Sequence, residues 1–211
     1  VSSFQLDEES RGFSYMKNAP LDMRMDPKAE LSAEEVVNGY SQESLARIIR
    51  EYGEEPFAKN IAKNIVAERK RGRIKETLQL VSVIEKSIPA KFRHNGPFAR
   101  KTFQAIRIEV NGELNGLKEA VTGLCRRLKK GGRICVLTFH SLEDRIVKNV
   151  FRDLASGCVC DKSLPVCVCG RKQELKIITH KPIVAGEAER ERNSRSASAK
   201  LRIAERVTEY R

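Results

Sequence analysis

The sequence has no tryptophan, few aromatic residues and no long apolar run. Aromatic residues make up only 6% of the 211 residues, which argues against a surface that stacks single-stranded bases. A membrane-spanning helix needs about 18 consecutive apolar residues. No segment approaches that length, so we expect a soluble, cytoplasmic protein. With 40% hydrophobic and 32% charged residues, the chain can bury a core, which argues against wholesale disorder.

Glycine-rich nucleotide-binding motifs are also missing. Neither G-x-G-x-x-G nor G-x-x-x-x-G-K-[ST] occurs in the sequence, although a nucleoside-binding α/β enzyme usually has such a loop after its first strand. The first residue is Val1 instead of Met, and no basic stretch followed by an apolar run indicates a signal peptide. We therefore expect a truncated start, with any glycine-rich loop preceding Val1.

Charge is distributed unevenly along the chain, whose formal net charge is +12. Residues 1–60 carry 7 Lys and Arg against 12 Asp and Glu, whereas residues 61–211 carry 33 against 16. Basic clusters lie around 69–75, 126–133 and 190–206. Three clusters favour a polyanionic partner such as nucleic acid, contacted through its phosphates. Solvated helix faces are the alternative.

The first half of the chain predicts several short helices. The segment PLDMRMD at 20–26 alternates apolar and charged residues, as an extended segment would. Residues 30–89 then show helical periodicity and predict a compact all-helical subdomain. Five residues are expected to cap these helices or to lie in their first turns: Ser32 with Glu35, Ser41, Pro56 and Thr77.

The second half predicts an α/β arrangement. A long amphipathic helix is expected over 101–128, ended by Gly131-Gly132, followed by an apolar strand at 134–139 that we expect to be covered on both faces. Another amphipathic helix follows Ser141, and two later strands are expected at 175–180 and 198–206. Alternating helices and strands of this kind indicate an α/β sheet.

Polar residues follow the strand at 134–139, where open α/β sheets bind ligands. Ser141 is expected to cap the following helix, with Asp144 completing an S-x-x-D box. His140 and Arg145 are then left to face a ligand, although a structural role for His140 is equally open. A Ser-His-Asp hydrolase is disfavoured, because neighbouring His140 and Ser141 rarely aim at each other and no G-x-S-x-G motif is present.

Four of the six cysteines lie in GCVCDKSLPVCVCG. Their two C-x-C pairs could converge on one tetrahedral ion such as zinc, through Cys158, Cys160, Cys167 and Cys169. A hairpin with reduced thiols or adventitious disulfides is the alternative. Either arrangement would be structural, because four thiolates leave zinc no open coordination position.

Long motifs across the whole chain resemble one known family. They include VSSFQLDEESRGFSY, PLDMRMD, EYGEEPFAKNIAKNIV, KTFQAIRIEVNGEL, LTFHSLEDRIVKNVF and SAKLRIAER. The chain is similar to the bacterial 16S ribosomal RNA cytosine-N4 methyltransferases of the H type, the MraW family. This resemblance implies a class I, Rossmann-like methyltransferase domain interrupted by a helical insertion. It also implies methyl transfer from S-adenosylmethionine to the cytidine at nucleotide 1402 of 16S rRNA in the small ribosomal subunit.

The resemblance suggests roles for ten further positions. Gln5 matches a cofactor-contacting position, and nine other residues match recurrent motif positions near the active cleft or the RNA. Among these nine we expect catalytic roles for Asp22, His140 and Ser141, and RNA contacts for Arg24, Asp144, Arg145, Lys181, Asn193 and Arg195.

The resemblance also implies a division of the chain. We expect methyltransferase segments at 1–29 and 94–211, separated by the helical insertion at 30–93, with the cysteine hairpin at 157–170. In the family the glycine-rich loop comes before the segment that matches Val1, so the 211 residues alone are expected to be inactive. The alternative is a non-catalytic RNA-binding module with a structural zinc hairpin.

Overall fold

The computed structural model describes residues 4–5, 8–93, 98–158, 160, 166 and 169–209. The chain forms two compact units, which span 1–113 and 114–211. The boundary between the two units lies after residue 113. The three-part division at 29 and 93 stays a prediction. Among the described residues, no helix combines the length and the apolar character that crossing a membrane requires.

Unit 1 is helical in its described part. A 3-10 turn at Glu9–Arg11 precedes six helices: α1 (Ala33–Gly39), α2 (Gln42–Glu51), α3 (Ala58–Arg69), α4 (Thr77–Ser87), α5 (Ala90–Arg93) and α6 (Arg100–Asn111). Helix α3 packs between α2 and α4, and α2 also packs on α6. The helical periodicity predicted within residues 30–89 is confirmed in α2, where Leu45, Ile48 and Ile49 are fully buried.

Two helix starts in unit 1, those of α1 and α2, follow predicted capping residues. Ser32 accepts the Glu35 N–H at 3.3 Å, and the Glu35 carboxylate accepts the Ser32 N–H at 2.7 Å, which confirms the capping box. Ser41 caps α2. Thr77 is not a cap, because its hydroxyl donates to the Lys17 carbonyl and accepts the Ala19 N–H. The N-cap of α4 is the preceding residue, Glu76.

The long helix predicted over 101–128 is wrong. The chain forms α6 and a second helix, α7 (Leu117–Arg127), separated by a turn. Gly112 ends α6 with φ 57° and Gly116 precedes α7 with φ 70°. Only glycine adopts this left-handed conformation without strain, so the two glycines break the helix although the apolar periodicity continues through them. The boundary between the units lies in this turn.

Unit 2 contains helices and one sheet. After α7 come β1 (Arg133–Thr138), α8 (Ser141–Ala155), β2 (Leu175–Ile177), β3 (Ile183–Val184), α9 (Glu187–Arg192), a 3-10 turn at Ser194–Ser198 and β4 (Lys200–Arg206). Strand β4 lies between β1 and β2 and is antiparallel to both, and β3 also pairs with β4. Strands β1 and β2 therefore run parallel to each other. The mixed helix and sheet composition agrees with the α/β prediction.

One expectation about β1 is wrong. The strand was expected to be covered on both faces, but Arg133, Cys135 and Leu137 are exposed while Ile134 and Val136 are half-buried. The half-buried residues pack on a core that includes Val147 and Phe151 of α8. Among the described residues, only one face of β1 is covered.

The backbone just after α2 approaches α6 closely at Gly53. A Cβ at Gly53 would lie 2.6 Å from both the Ile49 and Lys101 carbonyl oxygens. We expect Gly53→Ala to lower the free energy of unfolding by about 2 kcal/mol, because packed backbone must move. Gly39→Ala is the control, since a Cβ there meets nothing within 4 Å. Urea denaturation measures both, and equal stabilities would contradict the prediction.

Candidate functional site

Asp22 and Arg24 form an ion pair within unit 1. The Arg24 Nε donates to Asp22 Oδ1 at 2.8 Å, and its Nη2 donates to Oδ2 at 2.8 Å. The Arg24 backbone N–H also donates to Oδ1, at 2.9 Å. The two side chains remain 32% and 26% exposed, respectively. The predicted catalytic carboxylate therefore has a fixed orientation but stays accessible.

The backbone between these two residues is strained. Met23 has φ 60°, a left-handed conformation that non-glycine residues seldom adopt, and its side chain is fully buried. The alternating pattern predicted an extended segment here, and the structure forms no strand over 20–26 beyond an isolated bridge between Pro20 and Glu76. Such strain persists only where the surroundings enforce it, and it is frequent at functional sites.

Two side chains that the sequence analysis did not single out hold this segment. The Arg11 guanidinium donates to the carbonyls of Arg24 at 2.6 Å and Met25 at 3.0 Å. The Asn111 amide accepts the Met25 N–H at 2.7 Å and donates to the Met23 carbonyl at 2.8 Å. Both residues lie far from the segment in sequence, and no local pattern in the sequence indicates them.

Asp22 is an ionised acceptor. The hydrogen bond from the Arg24 side chain is the largest influence and lowers the pKa of Asp22 below its ordinary value of 3.8, against the opposing effect of burial. A carboxylate with a lowered pKa is a poor general base near neutral pH. It is well suited to accept hydrogen bonds from a neutral amine.

In unit 2, the start of α8 differs from the prediction. His140 is the N-cap: its Nδ1 accepts the Glu143 N–H at 3.3 Å, and the Glu143 carboxylate accepts the His140 N–H at 3.3 Å. The prediction that Ser141 caps α8 is therefore wrong. The cap lies one residue earlier, at His140, and the capping box is the H-x-x-E pattern of His140 and Glu143. Ser141 is the first residue of α8 and is half-buried.

Asp144 has a structural partner. Both of its carboxylate oxygens accept from Arg202 of β4, at 2.6 Å from Nε and 2.9 Å from Nη2. The residues are only 8% and 6% exposed. The Arg202 hydrogen bond lowers the pKa of Asp144, against the opposing effect of burial. This arrangement favours a structural role for Asp144 over the RNA contact that we expected.

The other predicted RNA-binding residues of unit 2 lie on the surface. Asn193 precedes the 3-10 turn at Ser194–Ser198, where its Oδ1 accepts the Arg195 N–H at 3.2 Å. The exposed members of this group are Arg145, Lys181, Asn193 and Arg195. In unit 1, Gln5 is half-buried. The structure thus brings Asp22 and Arg24 together in unit 1 and His140, Ser141 and Asp144 together at the start of α8.

The basic clusters are partly neutralised. Arg69 does not project freely, because it donates to the Val37 and Tyr40 carbonyls at the end of α1. Arg73 pairs with Glu34 at 2.9 Å, and Arg133 pairs with Glu205 at 2.8 Å. Exposed pairs of this kind are weak.

Three of the four clustered cysteines lie in the described part of the chain. Cys158, Cys160 and Cys169 have sulfur atoms within 4.8 Å of one another. Cys167, the fourth predicted ligand, lies outside the described residues.

Comparisons with known proteins identify close relatives. The model of the MraW methylase family matches residues 1–207. The ribosomal RNA small subunit methyltransferase H of Clostridioides difficile (strain 630) is 56% identical over 208 residues. Its counterparts in Clostridium botulinum (strain Kyoto / Type A2) and Halothermothrix orenii are each 55% identical, over 207 and 208 residues. Each alignment covers 98% of this chain and 67% of the relative.

The buried ion pair generates a stability prediction. Asp144→Asn leaves Arg202 charged without its counterion, which costs about 3 kcal/mol in buried pairs. We expect the free energy of unfolding, measured in urea at neutral pH, to fall by that amount. Asp153→Asn is the matched control, since it changes an exposed carboxylate on the same helix. Equal effects of the two substitutions would contradict a special role for the pair.

The same pair predicts a pH dependence. Folding lowers the pKa of Asp144, so its contribution is complete above the ordinary value of 3.8 and is lost as the pH falls through the folded pKa. The stability difference between the wild type and Asp144→Asn should therefore narrow below pH 3.8. A difference that stays constant on acidification would count against the ionic origin.

Proposed function

The chain belongs to the MraW methylase family, and we propose that it is part of a ribosomal RNA methyltransferase that uses S-adenosylmethionine. Relatives more than half identical to it carry the name ribosomal RNA small subunit methyltransferase H. The chain spans 67% of their length, so the activity is proposed for the protein that carries it. We further propose N4 of the cytidine at nucleotide 1402 of 16S rRNA as the acceptor.

Methyl transfer to the cytosine amine requires the protein to position its reactants. S-adenosylmethionine, when bound, supplies an already activated methyl group, and the cytosine amine is neutral. The protein therefore has to hold the amine in line with the methyl group and to orient its N–H bonds. The cytosine also has to leave its base stack. An accessible acceptor with a fixed direction is the group that this task requires.

We propose Asp22 as the acceptor that orients the substrate amine. An ionised carboxylate has about four lone-pair positions for hydrogen bonds, and Arg24 donates to Asp22 three times. With respect to the described residues, one position, on Oδ2, is left for a substrate N–H. Because the strained Met23 backbone and the Arg24 ion pair fix the carboxylate, it is ready to accept before the substrate arrives. Arg24 is then a positioning residue for Asp22 more than a phosphate ligand.

Residues of unit 2 are proposed for the remaining roles. His140 sets the start of α8 and thereby the position of the Ser141 hydroxyl, which we assign to substrate contact. Exposed cations and amides are assigned to the RNA backbone, because phosphates require accessible donors: Arg145, Lys181, Asn193 and Arg195. Asp144 contributes indirectly, through Arg202.

The cofactor site is only partly represented in the described residues. Gln5 is a half-buried amide that can hydrogen-bond to S-adenosylmethionine. Neither glycine-rich nucleotide-binding motif occurs in the 211 residues.

Asp22 provides the direct test of the proposed activity. In the protein that carries this chain, Asp22→Ala should lower kcat for methylation of small ribosomal subunits by about 100-fold or more, because a positioned acceptor is lost. Methyl transfer is measured with radiolabelled S-adenosylmethionine. Arg24→Ala should lower kcat as well, since it releases the carboxylate.

Asp26→Ala is the matched control for these variants. Asp26 is an exposed carboxylate of the same segment and should be replaceable without loss of activity. Full activity of Asp22→Ala would overturn the assignment of the acceptor.

A binding experiment tests how much of the cofactor site the 211 residues contain. We expect isothermal titration calorimetry of the isolated 211-residue chain with S-adenosylmethionine to show weak or no binding, because the sequence lacks a glycine-rich loop to cradle the cofactor. Tight binding would show that these residues suffice for the cofactor site.

A further inference from the structure

The cysteines at the end of α8 form a compact group of sulfur atoms. Cys158, Cys160 and Cys169 lie within 4.8 Å of one another, and the sulfurs of Cys158 and Cys169 are 3.8 Å apart. The two residues are exposed, and Cys160 is half-buried. We propose that these three residues bind a structural Zn²⁺ ion as thiolates.

The sulfur separation matches metal binding better than a disulfide. A disulfide requires about 2.05 Å between its sulfurs, far less than the 3.8 Å between Cys158 and Cys169. Thiolates bind zinc at about 2.3 Å in a tetrahedral arrangement, which places neighbouring sulfurs about 3.8 Å apart. The three sulfurs can therefore occupy three corners of a zinc tetrahedron, and the remaining corner takes a fourth ligand.

The local backbone also supports thiolates. The Cys160 N–H donates to the Cys158 sulfur at 3.4 Å. Such a hydrogen bond stabilises the negative charge of a thiolate. The Ser156 hydroxyl donates to the Cys158 carbonyl at 3.3 Å, which fixes the chain just before the first ligand. In sequence, Arg171 and Lys172 follow the last ligand and supply positive charge near an anionic zinc–thiolate group.

The location of the site in unit 2 indicates a structural purpose. Cys158 comes three residues after the end of α8, and Cys169 comes six residues before the start of β2. The Glu174 N–H donates to the Leu154 carbonyl at 2.8 Å, and the Arg171 guanidinium donates to the Asp153 carbonyl. These bonds bring the two ends of the connection together. A zinc ion would fasten the connection at the same place.

Elemental analysis tests the proposal on protein purified under reducing conditions with added zinc. We expect about one zinc per chain, and we expect Cys158→Ser and Cys169→Ser to lose most of it. Cys135→Ser is the matched control, because Cys135 is an exposed thiol on β1 outside the cluster. Zinc content below one tenth per chain, or equal zinc in all variants, would overturn the proposal.

Two measurements on the wild type keep the test independent of variant folding. Replacement of zinc by Co²⁺ should produce the sulfur-to-cobalt charge-transfer and d–d bands of a tetrahedral thiolate site. A chelator should release the zinc and make at least three additional thiols reactive towards an alkylating reagent. Absence of the cobalt bands, or thiol reactivity that the chelator does not change, would refute the site. Neither readout depends on methyltransferase activity.

Discussion

A buried polypeptide segment that is neither helix nor strand must find partners for all its backbone polar groups. The segment that contains Asp22 meets this constraint with main-chain bonds, such as those from the Leu21 N–H to the Lys75 carbonyl and from the Met23 N–H to the Arg11 carbonyl, and with side chains from elsewhere in unit 1. The Thr77 hydroxyl accepts the Ala19 N–H, and the Arg11 guanidinium donates to two carbonyls. The Asn111 amide accepts one N–H and donates to one carbonyl. The geometry of the proposed acceptor therefore depends on these main-chain partners and on side chains outside the segment.

In unit 2, ion pairs with arginines of β4 fix the positions of neighbouring elements. The ion pair between Asp144 and Arg202 joins the first turn of α8 to the central strand β4. A second buried arginine of β4, Arg206, donates to Glu174 at 2.6 Å just before β2. Because both arginines lie on β4, this strand aligns α8 and β2 through directional bonds as well as apolar packing. The start of α8, where Ser141 lies, is positioned as a result.

Local sequence patterns predicted the helices and strands better than the side-chain contacts between residues distant in sequence. Capping at Ser32 and Ser41, the apolar face of α2 and the strand, turn and helix around His140 were all readable from neighbouring residues. The break at Gly112 and Gly116 was missed, because apolar periodicity continues through it and one sequence does not reveal a positive φ. The roles of Arg11, Asn111 and Arg202 depend on contacts between residues distant in sequence, for which a single sequence carries no signal. The assigned roles of Asp22 and Ser141 came from family resemblance and remain proposals.

The position of β4 has a consequence for synthesis on the ribosome. Each of the other described strands pairs with β4, which follows them all along the chain. Until residues 200–206 leave the ribosomal exit tunnel, β1, β2 and β3 lack the strand that joins them, and core-facing residues such as Ile134 and Val136 are open to misassociation. The contacts within unit 1 are made by residues up to 113, all of which are translated before β1. Synthesis of unit 2 therefore passes through a stage in which β1, β2 and β3 are made and the strand that joins them is not, the stage at which chaperone binding would matter most.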